Sequence, residues 1–201
     1  MTKKQLFQIE KFSKPYYRKT GRYHGWDHIL RVRKHALNLA KDYEKVDTRL
    51  LEAACYLHDL GRSRKTLKDS DHVKISMSLS KNFLKEIGLK EDETKTVCNA
   101  IFCHDIANIK FAEAIEAKIL FDADKLEIAS VNGFIRTCCW LVEERRMKPY
   151  EAINFLWKNI KTAWDNDYVQ TKKARAILKR EISMIEGIVS FFNKWEQASN
   201  K

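Results

Sequence analysis

The sequence predicts an all-α fold, a helical bundle in one domain spanning residues 1–201. Three observations predict it. Glycine and proline number only six and two, too few for the tight turns that sandwiches and barrels need. Apolar residues recur at helical spacing through most of the chain. Hydrophobic residues make up 44% and charged residues 32%, enough apolar material for a core and too much for wholesale disorder.

Gly21, Gly25, Gly61, Gly88, Gly133 and Pro149 read as loop signals, and the segments between them read as helices. Residues 28–44 carry Ile29, Val32, Ala36, Leu39, Ala40 and Tyr43 on one face. Residues 48–60 are nearly continuously apolar on two sides, which makes this helix central; Asp47 can cap its start and Gly61 can end it. Residues 71–87 carry Ile75, Leu79, Phe83, Leu84 and Ile87 and stop at Gly88. Helices are expected again over 92–104, 112–129, 131–146 and 149–160. The last, 168–196, places Ala174, Ile177, Leu178, Ile185, Ile188, Val189, Phe192 and Trp195 on one stripe and is expected to be a packing helix. No linker, repeat or low-complexity tract interrupts this pattern.

A net charge of +11 suits anionic ligands such as nucleotides, nucleic acid or acidic membranes. Lysines spread along the chain rather than cluster in one arm, so a plain solvated basic surface accounts for the charge equally well. The cysteines at 55, 98, 103, 138 and 139 are odd in number and form no Cys-x-x-Cys pair, and several sit in apolar helical surroundings, such as Ala-Ala-Cys-Tyr-Leu around Cys55. Free thiols in a reducing compartment are therefore expected. The opening residues are broken by polar side chains and read as no secretory signal, and no stretch reaches membrane-spanning length. A cytoplasmic location is expected.

Histidines stand at 24, 28, 35, 58, 72 and 104, most of them on apolar faces. His28 shares a face with Val32 and Ala36, His72 with Ile75 and Leu79, and His104 with Val97, Ala100 and Ile101; His58 follows the apolar run Ala53-Ala54-Cys55-Tyr56-Leu57. Asp59 and Asp124 also point inward. One inward histidine is ordinarily a satisfied core residue, but four of them with two carboxylates point to a metal. A buried carboxylate costs several kcal/mol unless paired or metal-bound, and a divalent cation neutralises both while accepting imidazole nitrogens.

Leu57-His58-Asp59-Leu60-Gly61 resembles the signature that names the HD superfamily of metal-dependent phosphohydrolases. His24-Gly25-Trp26-Asp27-His28-Ile29-Leu30-Arg31-Val32 resembles the opening motif of the small HD hydrolases, a His-x-Trp-x-His followed by Arg-Val. Glu116-Ala117-Lys118-Ile119-Leu120-Phe121-Asp122-Ala123-Asp124-Lys125-Leu126-Glu127 resembles their closing motif, and His72 and His104 fall where the family keeps further histidines. The match runs over about residues 22–130 in the right order; residues 131–201 add C-terminal helices without a motif. Gly25 departs from the polar residue common at its position, and Ile128-Ala129-Ser130 lacks the glycine that relatives commonly carry there.

The resemblance implies an HD-type helical bundle and a metal held by His28, His58, Asp59 and Asp124, the last chosen over Asp122 because it immediately precedes Lys-Leu. Such a mixed N/O set suits Mn, Fe, Co, Ni or Zn. His24, His72, His104 and Asp105 are candidates for holding a second metal, binding phosphate or orienting ligands, with one ion preferred over two. His24, Arg31, Arg62, Lys65 and Lys125 are candidate substrate contacts, joined by Arg22; Asp59, His72 and His104 are the candidate catalytic groups. The expected activity is hydrolysis of a phosphate ester or anhydride bond by metal-activated water, with a small-molecule nucleotide as substrate. Phosphatase, pyrophosphohydrolase and phosphodiesterase chemistry all remain open. The alternatives are a basic nucleic-acid-binding or processing protein and a metal-binding HD regulatory module that does no chemistry.

Overall fold

The structure, a computed structural model, describes residues 1–20, 23–64, 71–165 and 168–199. Nine α-helices and two 3₁₀ turns make up its regular structure, and no strand is present among the described residues. The helices are α1 (Lys3–Tyr17), α2 (Trp26–Ala40), α3 (Thr48–Leu57), α4 (Asp71–Glu86), α5 (Glu91–Cys103), α6 (Ile115–Ala129), α7 (Val131–Glu144), α8 (Pro149–Asp165) and α9 (Lys172–Ser199). The 3₁₀ turns are Leu60–Ser63 and Ile109–Phe111. None of these helices is long and apolar enough to cross a membrane.

The chain divides into two compact units, Met1–Asp124 and Lys125–Lys201. In the first, α3 is the centre, packed against α1, α2 and α5. From Leu50 to Leu57 every residue but Glu52 is buried. Asp47 starts the helix by accepting from Arg49 N at 2.9 Å and Leu50 N at 3.1 Å. Asp47 N in turn donates to the buried Glu116 carboxylate at 2.8 Å, which ties the start of α6 to the start of α3. The expected stop at Gly61 comes earlier. Asp59, at φ −109° and ψ 17°, leaves the helical region, and Gly61 lies inside the 3₁₀ turn that follows.

Helix α1 has no counterpart among the expected helices. Its signal is a capping box: Thr2 Oγ1 accepts from Gln5 N, and Gln5 Oε1 accepts from Thr2 N. The apolar stripe is thin, since Ile9, Ser13 and Tyr17 are its buried residues, and Pro15 lies in its last turn, so composition hides it. Helix α2 ends at Ala40, earlier than expected, and leaves Tyr43 in the following turn. The cysteines are all free, with Cys55 and Cys103 buried and Cys139 exposed.

In the second unit α7, α8 and α9 pack on one another. The stripe on α9 divides. Ala174, Leu178, Ile185 and Val189 are buried, whereas Ile188 and Trp195 are 47% and 59% exposed. Successive residues turn by roughly 100° on a helix, so a stripe drawn broadly from sequence is wider than the arc that packing covers. Gly133 is not a loop residue but the third residue of α7. A Cβ there would lie 1.8 Å from the Glu127 carbonyl oxygen, so glycine lets the α6–α7 corner close. The Ser130 hydroxyl caps that corner, accepting from Gly133 N at 3.1 Å, and Arg136 pairs with the buried Glu127.

This corner yields a stability prediction. Gly133→Ala forces a methyl against a backbone carbonyl and is expected to cost about 1–3 kcal/mol. Gly187→Ala, in mid-α9 with open space around its Cα, is expected to gain up to about 1 kcal/mol. Thermal melts of the two variants check both signs; an unchanged melting temperature for Gly133→Ala would show that the corner opens freely.

Candidate metal centre

Four helices of the first unit bring imidazoles to one buried carboxylate. His28 comes from the apolar face of α2 and is 1% exposed. His58 is the C-cap of α3 and His104 the C-cap of α5, while His72 is the second residue of α4. Asp59 follows His58 directly, and Asp124 lies on α6.

The two C-cap histidines are oriented by the same device. His58 Nδ1 lies 2.9 Å from Cys55 O, and His104 Nδ1 lies 2.6 Å from Ile101 O, each a carbonyl three residues back. A carbonyl can only accept, so Nδ1 carries the proton in both rings. Each Nε2 is left with its lone pair directed inward, the form in which imidazole binds a metal.

Two triads result. His28, His58 and Asp124 form one, and Asp59, His72 and His104 the other; within each, one ligand atom per residue lies within 4.8 Å of the others, and all six residues are buried. Asp59 faces both. Its Oδ2 lies 3.8 Å from His28 Nε2 and 3.7 Å from His58 Nε2, and its Oδ1 lies 3.5 Å from both His72 Nε2 and His104 Nε2. Asp124 Oδ1 lies 3.8 Å from His28 Nε2. Ligand atoms bound to one ion at about 2.1 Å stand about 3–4 Å apart, so these separations suit a shared ion. The His58 Nε2 lone pair is buried without a hydrogen-bond partner among the described residues. Leaving it so costs free energy that a cation would recover. Both triads could therefore hold a divalent metal.

The electrostatics agree. Burial pushes the His58 imidazole down to about 4, further than the Asp59 charge pulls it up, so the ring stays neutral at ordinary pH. Burial raises the Asp59 carboxyl, but Arg62, His58, His104 and His72 outweigh it and hold the group well below the usual carboxylate range. Arg62 Nε donates to Asp59 Oδ2 at 3.0 Å, and its Nη2 lies 3.4 Å from His72 Nε2.

The remaining sequence candidates fall in different places. The His24 ring meets the His28 ring edge-on, with centroids 5.9 Å apart. Arg31 donates to Asp27 one turn away, at 2.8 Å. Asp105 shapes a turn by accepting from Ala107 N, and neither it nor Asp122 joins a triad. Lys125 is half-buried directly after Asp124. Lys65 and Arg22 lie outside the described residues, as does Gly21.

Two supporting residues escaped sequence reasoning. Tyr17, from α1, donates its hydroxyl to Tyr56 O at 2.9 Å; burial, and then the Asp59 charge, push that phenol well up. Ser76 accepts from Gly61 N at 2.9 Å beside the His-Asp turn. A capping box before α1 and the i, i+4 spacing of His72 and Ser76 were the available signals. Trp26 of the opening motif is a packing residue whose ring stacks on Tyr56 at 5.4 Å.

The model of the HD domain family matches residues 25–129, just over half of the chain. The chain belongs to the HD domain family. Among solved structures, a Lactobacillus plantarum protein is similar over 98% of this chain and 99% of its own, with a TM-score of 0.76 at 19% identity. Bacillus subtilis YpgQ, solved in complex with ADP, has a TM-score of 0.71 at 23% identity and covers 97% of this chain and 95% of its own. A predicted HD superfamily hydrolase from an uncultured Thermotogales bacterium has a TM-score of 0.64 at 22% identity over 94% of this chain and 92% of its own. At these identities the likeness establishes the fold. No curated protein matches the sequence.

Acid should destabilise the metal-free protein in two stages. A buried imidazole at about 4 stays unprotonated while the unfolded chain takes up a proton near 6.5, so stability falls as pH drops between those values, by roughly 3 kcal/mol. The depressed Asp59 adds stability above the ordinary carboxylate pKa that is lost as pH falls through its folded value. Chemical denaturation in chelator between pH 7.5 and 4.5 checks this; equal stability at both ends would contradict the buried neutral His58.

Proposed function

We propose that the protein is a metal-dependent phosphohydrolase that cleaves a phosphate ester or anhydride bond of a nucleotide. The observation that carries the reading is a single buried carboxylate, Asp59, turned with one oxygen toward each of two His-containing triads. His28, His58 and Asp124 would hold one divalent ion, His72 and His104 a second, and Asp59 would serve both. This goes beyond the one-ion preference drawn from sequence; the support is the position of His72 and His104 on Asp59 Oδ1. Divalent ions in such N/O sites neutralise phosphoryl charge and lower the pKa of a coordinated water.

The protein's own groups then have distinct tasks. Asp59 stays ionised because Arg62 and the imidazoles surround it. His58 and His104 stay in one tautomer because backbone carbonyls hold their Nδ1 protons. Arg62 is the guanidinium at the centre and His24 borders His28, so these two are the best supported contacts to phosphoryl oxygens. Arg31, paired with Asp27 on α2, and Lys125, next to Asp124, are further candidates. The nucleotide assignment draws on the ADP bound to Bacillus subtilis YpgQ and on the net charge of +11.

A hydrolysis screen over nucleoside mono-, di- and triphosphates with Mn, Mg, Co, Ni and Zn tests the reading. Turnover is expected with at least one transition ion, to be abolished by chelator and restored by re-addition. Label from ¹⁸O-water should enter one phosphate product directly in the first turnover. Metal binding without hydrolysis of any nucleotide would favour a regulatory module; steeply salt-dependent binding to RNA or DNA without hydrolysis would favour a nucleic-acid protein.

Ligand variants divide the site. His58→Ala and Asp124→Ala should lose the first ion while keeping helical circular dichroism. His72→Ala and His104→Ala should keep about one ion per chain yet lose activity at least a hundredfold. Elemental analysis beside kcat measurement checks both, and full metal retention by His58→Ala and Asp124→Ala would remove the central assignment.

A further inference from the structure

We propose that Ser76 and Gly61 are positioning residues that set His72 against Asp59, and so shape the second ion pocket; this rests on the two-ion reading above. Gly61 stands two residues after Asp59, and Ser76 one helical turn after His72. Gly61 makes two contacts across these short stretches. Gly61 N donates to Ser76 Oγ at 2.9 Å, with both residues buried. The bare Cα of Gly61 abuts the backbone of His72 itself: a Cβ would lie 2.1 Å from the His72 carbonyl oxygen and 2.8 Å from its carbonyl carbon and Cα.

The contact is with backbone, so no side chain can swing aside to make room. A side chain at residue 61 would have to push the first turn of α4 away from the His-Asp turn. The hydrogen bond acts in the same sense, because a buried N–H demands an acceptor and Ser76 supplies one. Both contacts therefore act on one coordinate, the separation of Asp59 Oδ1 from His72 Nε2, which is 3.5 Å. That distance decides whether the two groups can share an ion. His28, His58 and Asp124 sit on α2, at the end of α3 and on α6, outside the 3₁₀ turn and the α4 helix that this clamp joins. Ser80, one turn further along α4, is equally buried but its hydroxyl has no hydrogen-bond partner among the described residues, which makes it the natural control.

The test uses Ser76→Ala, Gly61→Ala and the control Ser80→Ala in the full chain. Metal-free protein is titrated with Mn²⁺ by calorimetry. In Ser76→Ala and Gly61→Ala the first ion should bind within threefold of wild type and the second at least tenfold more weakly. The kcat for whichever nucleotide is hydrolysed should fall at least tenfold with KM changed less than threefold, and Ser80→Ala should resemble wild type in each respect. Imidazole ¹⁵N spectra of the metal-free proteins report the clamp independently of ion number: His72 resonances should shift in both variants while those of His28 stay in place. Wild-type binding of a single ion would overturn the two-ion reading, and the His72 resonances would still decide the clamp. Unmoved His72 resonances in Ser76→Ala would overturn the proposal, as would loss of both ions in proportion to lost helix. If Gly61→Ala fails to fold, Ser76→Ala decides alone.

Discussion

The Asp59 carboxylate is the constraint around which the first unit is arranged. It is 3% exposed, and an ionised carboxylate at that depth is tolerated only when opposite charge or donors surround it. Among the described residues, Arg62 is the side chain paired with it that is cationic at every ordinary pH. Four imidazoles take the remaining directions, from α2, the ends of α3 and α5, and the start of α4. The core around α3 holds these elements at fixed spacing, so packing and chemistry rest on the same contacts.

Helix termini do much of this work. The last carbonyls of a helix have no N–H partner of their own. At the ends of α3 and α5 a histidine ring fills that role, which satisfies the carbonyl and fixes the ring's tautomer together. Past His58 the backbone leaves the helix at Asp59, and burial and then the Asp59 charge push the Tyr17 phenol up. Tyr17 also donates to Tyr56 O, so α1 anchors the turn that carries the His-Asp pair. A helix without any motif residue thereby becomes part of the centre's support.

Much of this was legible in the residues. The all-helical class, the centrality of α3 and the Asp47 cap followed from periodicity and capping, which are local properties. The inward histidines followed from the apolar faces they share, and the choice of Asp124 over Asp122 from the family resemblance; among the described residues Asp124 lies with His28 and His58, and Asp122 is in neither triad. Helix α1 was not legible, because its buried stripe of Ile9, Ser13 and Tyr17 is narrow and partly polar. Gly133 was misread as a loop marker because a glycine required by close backbone approach looks the same in sequence as one required by a turn. The α9 stripe was drawn too wide because helical period says which residues share a face but not how much of it is covered.

By itself the sequence determined the helical class, the set of side chains able to bind metal and the family to which they belong. These depend on residue type and spacing along the chain. Only the tertiary structure decided how the set divides into two triads, that Asp59 turns one oxygen to each, and that Tyr17 and Ser76 stand behind it. Those are distances between residues far apart in sequence, such as His72 and His104, whose Nε2 atoms lie 3.2 Å apart across 32 positions. Such a distance is set by how α4 packs on α5 and on the turn after Asp59, and no periodicity along one segment contains it.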